Sequence, residues 1–396
     1  MKEWVDWLQE AAKYKMEMVR LRRQFHMNPE LGTEETETVE VVRETLESLG
    51  IATNRLAGTG LVGLLTGGKP GKTVALRADM DALPLQDLKT VEYASRRPGK
   101  MHACGHDAHT AGLLGAAMLL SKYRDSISGQ VKFLFQPAEE TVGGALPMIE
   151  AGAMENPRVD AVFGLHATPE LRVGKIGFSY GKTYAASDDI DIVIQGKESH
   201  GAAPQNGIDA IMVAAQVIGG LQSIVSRNVS PADAAVVTIG QIIGGQQRNI
   251  IANRVELSGT IRTLDPDTRE FVRRQVNKIV TGIAEALGAT VQVVLSASYP
   301  SLINDVAMTD LVKDSAESLL GKENVVLQTR PTMGVEDFSY FQQKAPGCFF
   351  RLGVGNKENG IIHPLHTQLF DIDEEALVIG AAMHAKLAID FLNKVE

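Results

Sequence analysis

Residues 131–140 read VKFLFQPAEE, and residues 159–170 read VDAVFGLHATPE. Both stretches follow one design. A short, nearly continuous apolar run ends in a loop that carries groups able to do chemistry: Glu139 and Glu140 in the first, His166 at the end of the second. An apolar run of this length fits a strand covered on both faces, as in a parallel sheet, better than a half-exposed one. In open α/β sheets, ligands bind outside the carboxyl ends of such strands. The pair therefore predicts an α/β fold with its chemistry gathered along one sheet edge.

Upstream, LVGLLTGG (61–68) and TVALRADM (73–80) read as two further strands, joined by the Gly-Lys-Pro-Gly turn at 68–71. AGLLGAAMLLSKYR (111–124) is apolar on most faces, as a well-buried helix would be. The amphipathic N-terminus predicts one helix over residues 3–27, ended by the NPELG turn, and a second from about Thr33 to Leu49. Near residue 184 the texture changes. ASDDIDIVIQG (186–196) alternates polar and apolar residues, which suits a half-exposed strand. A helix (209–227), two strands (234–245 and 253–264), a helix (266–287) and the strand TVQVVLSASYP follow. The α/β texture resumes near Asn304. The expectation is a discontinuous α/β catalytic domain, residues 1–184 and 298–396, holding a mixed, mostly parallel sheet between helices. An α+β domain, residues 185–297, is inserted into it.

The 396 residues are enough for two domains, since single cores rarely grow beyond ~250–300 residues. A net charge of -9 argues against a nucleic-acid partner, which calls for a basic face. The sequence has no run of ~18 apolar residues, so no membrane partner is expected. The charged N-terminus lacks the pattern of a secretory signal. The two cysteines, Cys104 and Cys348, form no disulfide framework. A cytoplasmic protein is the expectation.

Divalent cations such as zinc take imidazole, thiolate and carboxylate ligands. RADMDAL supplies Asp79 and Asp81, HACGHDAH a cysteine and three histidines, PAEE two glutamates, GLH His166, and HPLHT His363 and His366. Any one of these groups taken alone is commonly a solvated or hydrogen-bonded loop residue. Five such loops, most of them directly after apolar strands, are not what packing alone produces.

The order RADMDALP, HACGHDAH, QPAEE, GLH, SHGAAP, GTIR, GVEDF, HPLHT resembles the M20 metallopeptidase superfamily. The similarity is greatest to its amidohydrolase branch of N-acyl-amino-acid hydrolases, which includes aminoacylases, hippurate hydrolases and hydrolases of indoleacetate–amino-acid conjugates. It runs from RRQFHMNPEL to FDIDEEAL, nearly the whole chain. The resemblance implies two divalent ions, zinc or manganese first and cobalt or nickel next. Cys104 would bridge them, and His106, Glu140, His166 and His366 would complete the ligands. It also implies Glu139 as general base and Asp81 as the carboxylate that orients a ligand. Asp79 stands where peptidase branches carry a histidine. His200 would stabilise the oxyanion, commonly in the partner subunit's site, while Asn249 would hold the carbonyl and Arg262 the substrate carboxylate. The inserted domain would act as lid and dimerisation surface, giving a homodimer or a dimer-based tetramer.

The chemistry that follows is hydrolysis of an N-acyl amino acid to a carboxylate and a free amino acid. A dipeptidase or carboxypeptidase is the near alternative. A cysteine amidase, with Cys104 as nucleophile and His106 or His109 as base, is a different class, and so is a metal-binding protein without catalysis. Glu336 and Asp337 are expected to line the pocket. His26, His102, His109 and His363 are read as structural or supporting residues, and His384 and Cys348 as packing residues.

Overall fold

Apolar runs of the kind quoted above build the centre of an eight-stranded sheet in the computed structural model, which describes residues 5–394. In spatial order the strands are Ala52–Leu56, Gly60–Thr66, Ser128–Gln136, Lys69–Asp79, Ala161–Arg172, Gly347–Gly355, Ile176–Phe178 and Val325–Leu327. The four central ones pair in parallel. In Lys69–Asp79, every residue from Thr73 to Asp79 is buried, so both faces of the strand are covered. The mixed, mostly parallel sheet expected from the sequence is therefore present. Gly60–Thr66 and Lys69–Asp79 are joined by a short turn yet do not pair with each other. Ser128–Gln136 lies between them, antiparallel to the first and parallel to the second.

The helix His106–Lys122 is buried without a break from His106 to Leu120 and packs against Glu375–Asn393, itself almost wholly buried. The helix expected over residues 3–27 is two helices, Trp7–Ala12 and Lys15–Met27, with the break at Lys13–Tyr14. Residues 3 and 4 lie outside the described residues. Thr36–Ser48 is the next helix, and its first turn is capped by the Glu30 carboxylate. That carboxylate accepts from the N–H groups of Glu37 (3.1 Å) and Thr38 (2.8 Å), which a helix leaves unpaired.

The chain separates into two compact units. One comprises residues 1–181, 303–329 and 340–396, and the other residues 182–302 and 330–339. Residues 330–339, placed with the catalytic domain on the sequence reading, group with the second unit instead. That unit is an antiparallel sheet in the order Thr290–Ala297, Ala186–Gln195, Arg254–Thr263, Ala235–Gly244. Its helices are Ala210–Ser223 and Pro266–Ala286, each opened by an aspartate whose side chain accepts backbone N–H groups, Asp209 and Asp265. Ile190, Ile192 and Ile194 on alternate positions of one strand meet Val213, Val217 and Leu221 of the first helix and Val272, Val276 and Val280 of the second.

By length and composition the helical stretch Ala210–Asn228 would suffice to cross a membrane. One of its faces is buried on the sheet, while Ile211, Met212 and Val225 are exposed.

Candidate metal centre

The carboxyl edge of the parallel strands collects the site. Asp79 is the last residue of its strand, and Asp81 follows two residues later. Glu139 and Glu140 follow the strand that ends at Gln136. His166 lies inside its strand, which continues to Arg172, and not at its end as the sequence reading had it. Cys104 and His106 flank Gly105, which opens the helix His106–Lys122 with φ +88°. A Cβ at Gly105 would stand 2.9 Å from the Cβ of Ala167, so both backbone conformation and space require glycine there.

Cys104 Sγ lies 3.4 Å from His166 Nε2 and 3.3 Å from His366 Nε2. Ligand-capable atoms of Cys104, His106 and His166 come within 4.8 Å of one another, as do those of Cys104, Glu140 and His366. One sulfur is thus common to two donor sets. His366 Nε2 is 3.0 Å from Glu140 Oε1, and its half-exposed ring marks the open side of the cluster. His366 takes the left-handed φ of +58°, and its N–H donates to Ala103 O (2.8 Å).

The imidazoles are held in one sense. His106 Nδ1 contacts Asp81 O (2.9 Å) and Asp81 Oδ1 (3.1 Å), both acceptors. Nδ1 therefore carries a proton, and Nε2, buried and without a hydrogen-bond partner, is the nitrogen turned towards the cluster. His166 repeats the arrangement, with Nδ1 donating to Ala167 O at 2.7 Å and Nε2 facing Cys104. An acceptor behind each ring, fixing tautomer and direction, is what metal-ligating histidines generally have. Asp81 does more, since its other oxygen accepts the N–H of Glu140 (2.9 Å) and so joins two of the donor loops.

The electrostatics suit a cation. Burial opposes charge on His106, but the carboxylates of Asp79, Asp81 and Glu140 outweigh it and raise its pKa to about 10. Burial, with Glu140 and Glu139 close by, pushes the Cys104 thiol well above its ordinary range. A thiol in that setting is a poor free nucleophile, because the thiolate is the reactive form. Burial takes His166 down to about 3, keeping its ring neutral. Imidazoles, a thiol and carboxylates converging around an unpartnered buried nitrogen fit divalent cations, whose binding would displace the second proton of the His106 ring.

Asp79 and His109 form a third group with His106, but their own atoms are largely committed. His109 Nδ1 meets Asp79 Oδ1 at 2.6 Å, and its Nε2 accepts the N–H of Ala167 at 2.8 Å. Asp79 Oδ2 takes Arg77 Nη1 at 2.6 Å. Glu139 reaches the cluster too, with a carboxylate oxygen within 4.8 Å of the ligand atoms of His106 and Glu140. His26 is tied to Asp107 (2.7 Å) and Lys89 Nζ (2.9 Å). His102 is buried beside His26 with neither nitrogen hydrogen-bonded, and His384 is likewise buried, edge-on to Phe350. Cys348 is buried and accepts from Thr309 Oγ1 at 3.6 Å.

His200, Asn249, Arg262, Glu336 and Asp337 belong to the second unit. His200 and Asn249 are exposed and adjacent, since His200 bridges to Ile250 and the N–H of Gly201 donates to Asn249 O at 2.7 Å. His200 Nδ1 accepts the N–H of Ala202 (3.1 Å), which leaves its proton on Nε2. Arg262 is half-buried in the strand Arg254–Thr263, opposite Ser187 and Val236.

The family model for peptidase family M20/M25/M40 matches residues 75–390. The chain is 43% identical to Thermostable carboxypeptidase 2 of Saccharolobus solfataricus, over 99% of this chain and 97% of that protein. It is 42% identical to IAA-amino acid hydrolase ILR1-like 4 of Arabidopsis thaliana, over 96% of this chain and 86% of that one. The solved structure of the Bacillus subtilis YXEP protein, described as a dinuclear metal binding peptidase from the M20 family, matches with a TM-score of 0.85 at 34% identity. That likeness covers 97% of this chain and 100% of the other. The chain belongs to peptidase family M20/M25/M40.

Proposed function

From that membership we propose that the chain is a metallo-amidohydrolase that cleaves N-acyl amino acids into a carboxylic acid and a free amino acid. The observation that carries the reading is the sharing of Cys104 between two donor sets. His106 and His166 would hold one divalent ion and Glu140 and His366 the other, with the sulfur common to both. Bound there, two cations would lower the pKa of a shared water and polarise the amide carbonyl.

The protein's own groups do the rest. Glu139 takes the proton of the attacking water and delivers it to the leaving nitrogen, because an amine anion is a poor leaving group. Asp81 holds His106 and the backbone of Glu140 in register. His200, with its proton on Nε2, is suited to donate to the oxyanion, in the site of a partner subunit. Asn249 would hold the carbonyl oxygen, and Arg262 would meet the substrate carboxylate with two N–H groups. A second copy of this chain is the proposed partner. The strand Ala235–Gly244 ends its sheet with an unpaired edge, and Ile242 and Ile243 on it are exposed, as are Ile211 and Met212.

A carboxypeptidase reading has the Saccharolobus relative in its favour. The two are separated by a hydrolysis screen of acetyl-, benzoyl- and indoleacetyl-amino acids against dipeptides. The screen is run on protein reconstituted in turn with zinc, manganese, cobalt and nickel. Chelation should abolish turnover and metal should restore it. Thiol alkylation at neutral pH should leave the loaded protein active. Rapid inactivation by alkylation, with indifference to chelator, would instead establish Cys104 as a nucleophile. A monomer in sedimentation with full activity would remove His200 from the mechanism in trans.

A further inference from the structure

Consecutive carboxylates such as Glu139 and Glu140 ordinarily point apart, yet both reach one cluster here. The residue before them makes this turn, because Ala138 takes the left-handed φ of +55°. A non-glycine residue in that region is strained and persists only where its surroundings hold it.

Two buried carboxylates hold this loop. Asp81 accepts the N–H of Glu140, as described. Glu35, wholly buried, accepts the N–H of Ala138 on Oε1 at 2.8 Å and the hydroxyl of Thr59 on Oε2 at 2.6 Å. Glu35 sits on a rigid base, since its own carbonyl receives the N–H of Val39 in the first turn of the helix that Glu30 caps. The chain approaches closely just before it. A Cβ at Gly32 would lie 2.3 Å from Thr141 Oγ1 and 3.0 Å from Ala138 Cα, so this turn is pressed onto the loop.

We propose that Glu35 is a positioning residue for the general base, a strap whose hydrogen bond to Ala138 fixes the backbone turn that aims Glu139 at the reacting water. It touches neither ligand atoms nor substrate and acts through Ala138. The kinetic part of the proposal rests on the reading of Glu139 given above. The structural part, the holding of the 137–141 backbone, does not.

Three variants test it on the metal-loaded full chain. Glu35→Leu leaves the Ala138 N–H without an acceptor. It should lower kcat by about a hundredfold, the scale of a ~1 Å misplacement, with KM and metal stoichiometry unchanged. Glu35→Gln can still accept from Ala138 through its carbonyl and donate to Thr59, so it should restore kcat to within about threefold of the parent. Thr59→Val removes the other bond to Glu35 and keeps the strap. It should cost stability while leaving kcat within about twofold, which a merely structural role for Glu35 would not allow.

Amide hydrogen exchange supplies the readout that needs no substrate. In the metal-free protein, the amides of residues 138–141 should lose about tenfold protection in Glu35→Leu and none in Thr59→Val. Unchanged exchange at 138–141 in Glu35→Leu overturns the proposal, whatever the kinetics. So does a folded Glu35→Leu with parental kcat, or a Thr59→Val that loses kcat equally. If the parent hydrolyses no substrate in the screen, the functional reading falls, and the exchange experiment still decides the strap.

Discussion

Replacing Arg22 with methionine should cost the first unit about 3–5 kcal/mol, and the figure follows from what the guanidinium holds. Arg22 is fully buried. Its Nε lies 2.9 Å from Asp107 Oδ2, its Nη2 2.9 Å from Asp371 Oδ1, and its Nη1 3.5 Å from Glu374 Oε1. Methionine keeps most of the volume, so the loss is electrostatic and little cavity opens. Asp371 and Glu374 are partly exposed and keep partners, the Tyr93 hydroxyl (2.8 Å) and Arg23 (2.7 Å) respectively. With those donors kept and some access to solvent, these two carboxylates add less to the loss than Asp107 does. Asp107 is wholly buried and would keep the His26 ring as a hydrogen-bond partner at 2.7 Å but lose its guanidinium, and stranding one member of a buried pair costs ~3–5 kcal/mol.

The assay is urea unfolding followed by tryptophan fluorescence. Trp7 lies in the first unit, edge-on to Tyr123 with ring centroids 5.6 Å apart. The pH dependence sharpens the test. Burial alone would raise the Asp107 carboxyl, but Arg22, helped by His26, outweighs it and holds the pKa well below the ordinary range. A depressed carboxyl contributes stability that is present above its unfolded pKa of ~3.9 and is lost as pH falls through the folded value. The variant lacks that depression. Its deficit should be greatest near neutrality and narrow as pH falls below ~4. Adding Asp107→Asn to the variant should recover part of the loss. A deficit below about 1 kcal/mol at pH 7, or one that does not shrink on acidification, would refute the account.

Other outcomes follow from the same geometry. Glu139→Gln should bind metal as the parent does and lose about 10²–10⁴-fold in kcat; metal analysis beside steady-state kinetics checks this, and surviving turnover removes Glu139 as the base. Gly105→Ala should lower stability by at least ~1–2 kcal/mol, because φ is +88° and Ala167 stands in the way, and should weaken metal binding in a chelator titration. In the second unit, Asp188 is wholly buried, with Arg269 on both its oxygens (2.8 and 2.9 Å) and Arg273 beside it. Asp188→Asn should cost about 3 kcal/mol in thermal unfolding of that unit, and a change under ~0.5 kcal/mol would show that the guanidinium groups find other partners without loss.

Much of the fold was readable because it rests on local pattern. Apolar runs flanked by turns marked the buried strands, and the shift to alternation near residue 186 marked the antiparallel sheet. The donor residues were readable because they follow those strands. Non-local facts were not. No glycine or proline marks the break at Lys13–Tyr14, and nothing in LVGLLTGGKPGKTVALRAD announces that a strand from residue 128 enters between its halves. His166 was placed at the end of its strand because the apolar run VDAVFGL stops there, yet pairing continues to Arg172. The tether of His109 between Asp79 and Ala167 depends on atoms brought together only by folding. Glu35 was missed for a similar reason. In GTEETET one carboxylate looks like the next, and only burial distinguishes the one that turns inward.

The order of the strands along the chain also bears on how the protein is made. During synthesis Ala161–Arg172 emerges long before Gly347–Gly355, its neighbour on one side. The four-stranded sheet of the second unit is complete in sequence by Ala297, so it can form while that flank of the first unit still lacks its partner. An apolar edge left open for some 175 residues of elongation is a template for wrong pairing, and closing it requires a long loop to be ordered first. The second unit should therefore fold early and fast, and the first late and with greater need of chaperones. The His366 loop follows Gly347–Gly355 in the chain, so the nascent chain cannot gather its full donor set until that loop too has emerged.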